Sequence, residues 1–126
     1  MKALWTSIAV TVVLLVIWSV FIGYADVDVD KMVTDIDVAV ASIEADDWTQ
    51  AQDAVTRVSR RWQDRRLVYS LFFDAISISD VESSLVRAGA YCRTHDESSA
   101  IAELSDLRHL LLFLYENELV TIENIL

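Results

Sequence analysis

ALWTSIAVTVVLLVIWSVFIGYADVDVD, residues 3–30, opens with 23 residues that carry no charge and closes with Asp26, Asp28 and Asp30. At the rise of an α-helix, residues 3–25 span roughly 34 Å. The hydrocarbon core of a bilayer is about 30 Å thick, so the stretch is long enough to cross it with a modest tilt. Lys2 and the free amino terminus precede the run, and Lys31 follows the three aspartates. The positive-inside rule counts Lys and Arg, and here it favours a cytoplasmic N-terminus. Trp5 near one end, with Trp18 and Tyr24 toward the other, suits the interfacial positions of amphipathic rings. The rival reading is a cleaved signal, because Gly23-Tyr24-Ala25 has the small-x-small form that signal peptidase accepts. The apolar core of a cleaved signal is about 7 to 15 residues, and this run is longer. Residues 1–25 are therefore read as a single-pass anchor in the cell membrane, with removal as the alternative. In either case residues 26–126 form an extracytoplasmic domain. Cys92 is the sole cysteine, which leaves no lipid-attachment cysteine after the signal and no internal disulfide.

The outer 101 residues suffice for one domain with one core. They hold all 20 acidic residues against 9 basic ones, a net charge of −11. A surface so acidic argues against nucleic acid as a partner, since phosphate binding needs a basic face. It also argues against loose adsorption to anionic lipid. There is no proline, and the two glycines are Gly23 and Gly89. Hairpin turns of the Asn-Gly or Pro-Gly kind are missing, which disfavours a β-sandwich or hairpin fold and predicts an all-α fold.

The periodicity predicts four amphipathic helices in the outer domain. Val29, Val33, Ile36, Val40 and Ile43 form a stripe at spacings of 4, 3, 4, 3 over residues 28–45. Asp46 and Asp47 offer a cap for a second helix, whose stripe is Ala51, Val55, Val58 and Trp62, running on through Tyr69 and Phe72 to about residue 74. Ser79-Asp80-Val81-Glu82 has the S-x-x-E form of a capping box and predicts the start of a third helix, with stripe Val81, Leu85, Ala88 and Cys92. Asp96 can cap a fourth helix carrying Ala100, Leu104, Leu107, Leu111 and Leu114. Short connections between such helices predict an up-down antiparallel four-helix bundle behind one N-terminal transmembrane helix.

An anchor fixes the direction of that bundle. Helices one and three leave the membrane, and helices two and four return to it. Residues 67–73 and 110–115, both apolar around much of the helix, would then lie near the bilayer. Burial within the bundle is the plainer account of such breadth. The sharper account is a contact surface for a membrane protein or lipid headgroups, with Tyr69, Phe72, Phe73, Leu112, Phe113 and Tyr115 as its partner-binding residues.

Several pieces of the chain carry a family resemblance: the anchor, Asp47-Trp48 with Ala51 and Trp62, and Asp80-Val81-Glu82 with Leu85. Residues 102–107 (AELSDL) and the ending 123–126 (ENIL) complete it. In order and spacing the chain resembles a domain-of-unknown-function family of small, N-terminally membrane-anchored helical proteins of Gram-positive, spore-forming bacteria. The resemblance implies no activity. It does imply the company of a multi-pass membrane protein. Asp74 stands where members of the family are expected to carry a histidine.

Arg57, Arg60, Arg61, Arg65 and Arg66 place five of the ten basic residues within ten positions. Arg57, Arg61 and Arg65 share a helix face, and together they could bind an anionic wall polymer, a lipid headgroup or an acidic partner. The competing account is pairing within the molecule, with Asp53, Asp64 or the acidic first helix through Asp30, Asp35 and Asp37. Arg65 falls on the extended apolar stripe, so its stem can lie along the core with its head outward. Cys92 and His95 are three apart, but two ligands do not make a metal site, and a buried thiol continues the stripe of the third helix. Nothing resembles a nucleophile elbow, a phosphate loop or an H-E-x-x-H helix. No catalytic residue, metal ligand or cofactor is assigned. Trp48 and Trp62 read as packing anchors. The resulting expectation is a non-enzymatic, membrane-anchored interaction module, an accessory subunit of a multi-pass membrane protein in the bacterial or spore envelope, with self-association as a further partner class. The alternative is an extracytoplasmic module that binds an anionic polymer or headgroup through the arginines.

Overall fold

The computed structural model describes the backbone of residues 1–125 and the side chains of residues 1–20, 28–71 and 73–116. Tyr24, the Gly23-Tyr24-Ala25 motif, the side chain of Phe72 and the tail Val120–Leu126 therefore lie outside the described side chains. Among the described residues the fold is all-α, with helices α1 (Lys2–Glu44), α2 (Trp48–Phe72), α3 (Ala75–Arg93) and α4 (Glu97–Ile125). The expected anchor and the first outer helix are one continuous helix of 43 residues. The chemistry explains the continuity. No proline interrupts the run, and a single glycine inside a helix costs only about 1 kcal/mol, too little to break it.

The two halves of α1 live in different surroundings. Its segment Lys2–Val20 has a mean hydropathy of 2.2, is wholly exposed, and is long and apolar enough to cross a membrane by length and composition. From Val29 onward the helix joins a core. Val29, Met32, Ile36, Ala39 and Ile43 are buried there, whereas Val33 and Val40 are half-buried. The seam thus steps 3, 4, 3, 4 rather than 4, 3, 4, 3. Val29, Ile36 and Ile43 satisfy both patterns, and Met32 and Ala39 face the centre because α1 is gripped from two sides, by α2 and by α4.

The other stripes behave as the periodicity predicts, with additions. Ala51, Val55, Val58, Trp62 and Tyr69 of α2 are buried, and Ala54 joins them. Val81, Leu85, Ala88 and Cys92 of α3 are buried together with Ile78 and Ser84. All five expected positions of α4 (Ala100, Leu104, Leu107, Leu111 and Leu114) are buried. Each helix packs on the next, and α4 packs on α1. Ion pairs mark the register. Asp35 meets Arg57 while Asp28 meets Arg65, so α2 runs antiparallel to α1. Gln52 meets the Cys92 carbonyl while Arg66 meets Glu82, so α3 runs antiparallel to α2.

Two of the three turns repeat one geometry. Asp46 and His95 take positive φ angles of 60° and 55°. The next amide in each turn donates back five residues, from Asp47 to Ser42 and from Asp96 to Tyr91. That is the bond of a Schellman ending, here with Asp and His in the left-handed position that glycine usually takes. The aspartates after them, Asp47 and Asp96, then cap α2 and α4 by accepting from Gln50 N at 3.2 Å and Ser99 N at 3.3 Å.

The third turn corrects the sequence expectation for α3. The helix starts at Ala75, not at Ser79, and its cap is Asp74, which accepts from the Ser77 amide at 2.6 Å. Ser79 lies one turn inside the helix. That amide bond also pulls the Asp74 carboxyl below its ordinary value of 3.8. The residue that departs from the family's expected histidine is thus the one that begins α3.

Candidate functional site

The arginine row of α2 lies along the acidic side of α1. Arg57 and Arg61 both reach Asp35, at 3.2 and 3.6 Å, and Arg65 reaches Asp28 at 2.9 Å. These three side chains remain 36–44% exposed, and each such pair is worth about 0–1 kcal/mol. Their main effect is to set which turn of α2 faces which turn of α1. Arg66 pairs with Glu82 of α3, whose carboxyl is held below its ordinary value mainly by that guanidinium and also by the Trp62 indole N–H at 3.4 Å.

Two other arginines differ. Among the described residues, Arg60 and Arg93 have no ion-pair partner. Both line an open groove between α2 and α3 of about 660 Å3, with Thr56, Ser59 and Gln63 beside them. Val55, Leu85 and Val86 supply its apolar lining, and Glu82 closes one end. The groove can offer cations and hydroxyls to an anion, and an apolar floor to whatever carries that anion.

At the other sequence-derived surface the six residues separate. Tyr69 is 2% exposed and stacked between Trp62 at 5.0 Å and Phe73 at 5.6 Å, so it sits in the core. Phe73 and Tyr115 pack half-buried against the core, and Leu112 is half-buried. Phe113 is 50% exposed, its ring 6.5 Å from that of His109. The side chain of Phe72 is not described. The most exposed apolar side chains described at this end are Leu67, Leu71 and Ile76, at 77%, 74% and 75%; the sequence placed Leu67 and Leu71 in the membrane-proximal segment without naming them as contact residues, and it missed Ile76. The signal was available in helical phase: Leu67 lies five residues after Trp62, on the opposite side of α2 from the core.

The opposite end of the molecule is closed by Trp48. Its indole N–H donates to Asp46 at 2.9 Å and its ring stacks on His95 at 4.7 Å, joining the two Schellman turns. His95 thus faces a ring. Cys92 is buried, and desolvation pushes its thiol above the ordinary value. Among the described residues no group of three His, Cys, Asp or Glu is placed to hold a metal ion. Ser84, fully buried, donates to Glu103 of α4, whose carboxylate also takes Arg87 at 2.8 Å. This polar link between α3 and α4 was not legible in the apolar stripe.

Comparisons with curated proteins and with solved structures return no match. A family model does match, over residues 19–125, which takes in the end of the apolar half of α1 and all of the helical unit behind it. The chain therefore belongs to the DUF4363 family, a domain of unknown function.

Proposed function

We propose that this protein is a non-enzymatic, membrane-anchored interaction module: an up-down antiparallel four-helix bundle held outside the cell membrane on its own first helix, acting as an accessory subunit of a multi-pass membrane protein. The observation that carries the reading is the division of α1. One unbroken helix has an apolar segment, Lys2–Val20, that is exposed along its length, and a later part locked into the core by Met32, Ile36 and Ile43. A bundle mounted in this way is held at a fixed height above the bilayer, where Phe113, with Leu112 and Tyr115 beside it, offers α4 to a neighbour. The outward orientation is the one favoured by Lys2 before the span under the positive-inside rule, which counts Lys and Arg and not the aspartates. A spore-envelope setting rests on the family resemblance alone.

Affinity capture of C-terminally tagged full-length protein from gently solubilised native membranes tests this. A bait whose intact mass includes residues 1–25, with one stoichiometric multi-pass partner, is the expected result. The Phe113→Ser variant should lose that partner. A bait beginning at Asp26 with no partner would refute the subunit reading.

Arg60 and Arg93 favour a second reading, an anion-binding module that uses the α2–α3 groove. Binding of a polyanionic wall polymer should then weaken as salt rises and fall in Arg60→Gln and Arg93→Gln. It should change little in Arg57→Gln, Arg61→Gln and Arg65→Gln, whose charges are already engaged. Salt-insensitive binding, or equal loss in both sets, would remove this reading.

A further inference from the structure

The outward face of α2 changes character along its length. Thr56, Arg60, Gln63 and Asp64 are polar and lie toward the turn closed by Trp48. Leu67 and Leu71 occupy the same face in the last two turns and are 77% and 74% exposed. The chain then reverses at Asp74, and Ile76 in the first turn of α3 is 75% exposed. Beyond it the exposed positions of α3 are Ser79, Asp80, Ser83, Val86, Arg87 and Arg93, with Val86 the one large apolar side chain among them. Two consecutive helices thus cluster three exposed large apolar side chains where they meet, whereas Val86 stands singly farther along α3. An aqueous surface gains nothing from such a rim.

The register says where that rim lies. Arg65 is level with Asp28. Because α2 runs antiparallel to α1, Leu71 sits about 9 Å farther toward the start of α1, at the height of its residue 22. The uncharged run of α1 continues to Ala25. Counted from Ala3, about 20 residues fill a hydrocarbon core of about 30 Å, which puts its outer boundary near the height of residue 22. With a bilayer of about 40–45 Å, the headgroup layer beyond that boundary is about 5–8 Å deep. Leu71 and Ile76 fall at the inner boundary of that layer and Leu67 about 6 Å farther out, within it.

We propose that Leu67, Leu71 and Ile76 form a lipid-docking rim that seats the α2–α3 turn in the headgroup layer of the same bilayer that α1 crosses. The proposal rests on the membrane reading of α1. The contact is apolar, because the outer domain is strongly acidic and Arg65 and Arg66 are engaged by Asp28 and Glu82. Asp74 and Asp80 stay hydrated among zwitterionic headgroups. With α1 at one point and the rim at another, the bundle is held at two places and cannot swing about the helix that carries it. That fixed pose is what a subunit needs to present one face to a neighbour in the membrane plane.

Nitroxide labels test the proposal on the full chain in phosphatidylcholine nanodiscs. Single labelled cysteines, in a Cys92→Ala background, replace Leu67, Leu71 and Ile76. Leu14 in the apolar segment and Val86, an exposed apolar residue of α3 far from the span, serve as references. Collision with oxygen reports lipid, and collision with a water-soluble nickel chelate reports water. Labels at Leu71 and Ile76 should show an oxygen-to-nickel ratio severalfold above that at Val86 and below that at Leu14, with Leu67 between Val86 and Leu71. If Leu14 is deep while Leu71 and Ile76 match Val86, the docking rim is wrong and the anchor stands. If Leu14 itself meets the nickel chelate, the membrane reading fails and the rim fails with it. Labels at the rim shielded from both reagents would mean protein covers it, which also overturns the proposal.

Discussion

Replacing Trp62 should destabilise the helical unit more than any other single aromatic change, and through packing rather than hydrogen bonding. Trp62 is 1% exposed and stacks on Tyr69, which in turn stacks on Phe73. Its indole N–H reaches Glu82 at 3.4 Å, a long bond to a carboxylate already held by Arg66. A buried tryptophan covers about 150–250 Å2, and truncation of such a ring to alanine costs about 3–5 kcal/mol with its cavity. Trp62→Ala should therefore lose about 4 kcal/mol, against a total of about 5–15 kcal/mol for a domain of this size. That loss lowers the melting temperature by about 15–30 °C. Trp62→Phe keeps most of the ring stack and loses the weak donor, so it should lose only about 1 kcal/mol. Melting of the full-length protein in nanodiscs, followed by circular dichroism, separates the two variants. Equal losses in both would mean that the bond to Glu82 holds the helices. A loss below about 1 kcal/mol in Trp62→Ala would mean that the ring is not at the centre of the core.

Three further outcomes follow from the same structure. Asp74→Ala removes the cap of α3 and should lower the melting temperature, while Ser79→Ala should be neutral; the reverse order of melting temperatures would restore a start at Ser79. Asp35→Asn leaves Arg57 and Arg61 without their carboxylate and should cost about 1 kcal/mol at low salt, discounted for the exposure of both arginines, and less in concentrated salt; a loss independent of salt would contradict an ionic role. The carboxyls of Glu82 and Asp74 are held below their ordinary values of 4.5 and 3.8, so the unfolded chain takes up protons first as pH falls. Their contribution is complete above pH 4.5 and disappears as pH falls through the lowered folded values, and Arg66→Gln should flatten that fall, as read from melting temperatures between pH 3 and 7.

Which parts of this fold were legible depended on whether a property belongs to one helix or to a pair. The stripe of α4 was legible as far as Leu114 because Leu104, Leu107, Leu111 and Leu114 recur at the helical period, and their burial follows from that period alone. The seam of α1 was half right. Val33 and Met32 are adjacent and both apolar, and only the presence of α4 as a second neighbour decides that Met32 turns inward. The start of α3 was misplaced because Asp74 and Ser79 both offer caps, and the periodicity cannot tell where the chain reverses. Asp74 wins because α2 ends at Phe72 and a two-residue turn needs an N-cap at once. Opposite charges on α1 and α2 foretold pairing, but not which arginines would be left over. Arg60 and Arg93 stand apart because they line the groove between α2 and α3 rather than facing α1. Ser84 and Glu103 escaped notice because a buried hydroxyl interrupts an apolar stripe and is recognised only once its acceptor on the facing helix is in place.

The central claim is that α1 crosses the membrane and holds the remaining helices outside. Full-length protein with an epitope at each end, expressed in its native membrane and treated with external protease before and after permeabilisation, tests it most directly. The account expects the C-terminal epitope to be cut in intact cells, the N-terminal epitope to be cut only after permeabilisation, and the chain to stay with the membrane through an alkaline carbonate wash. Protection of the C-terminal epitope in intact cells, or release of the chain by carbonate, would contradict it.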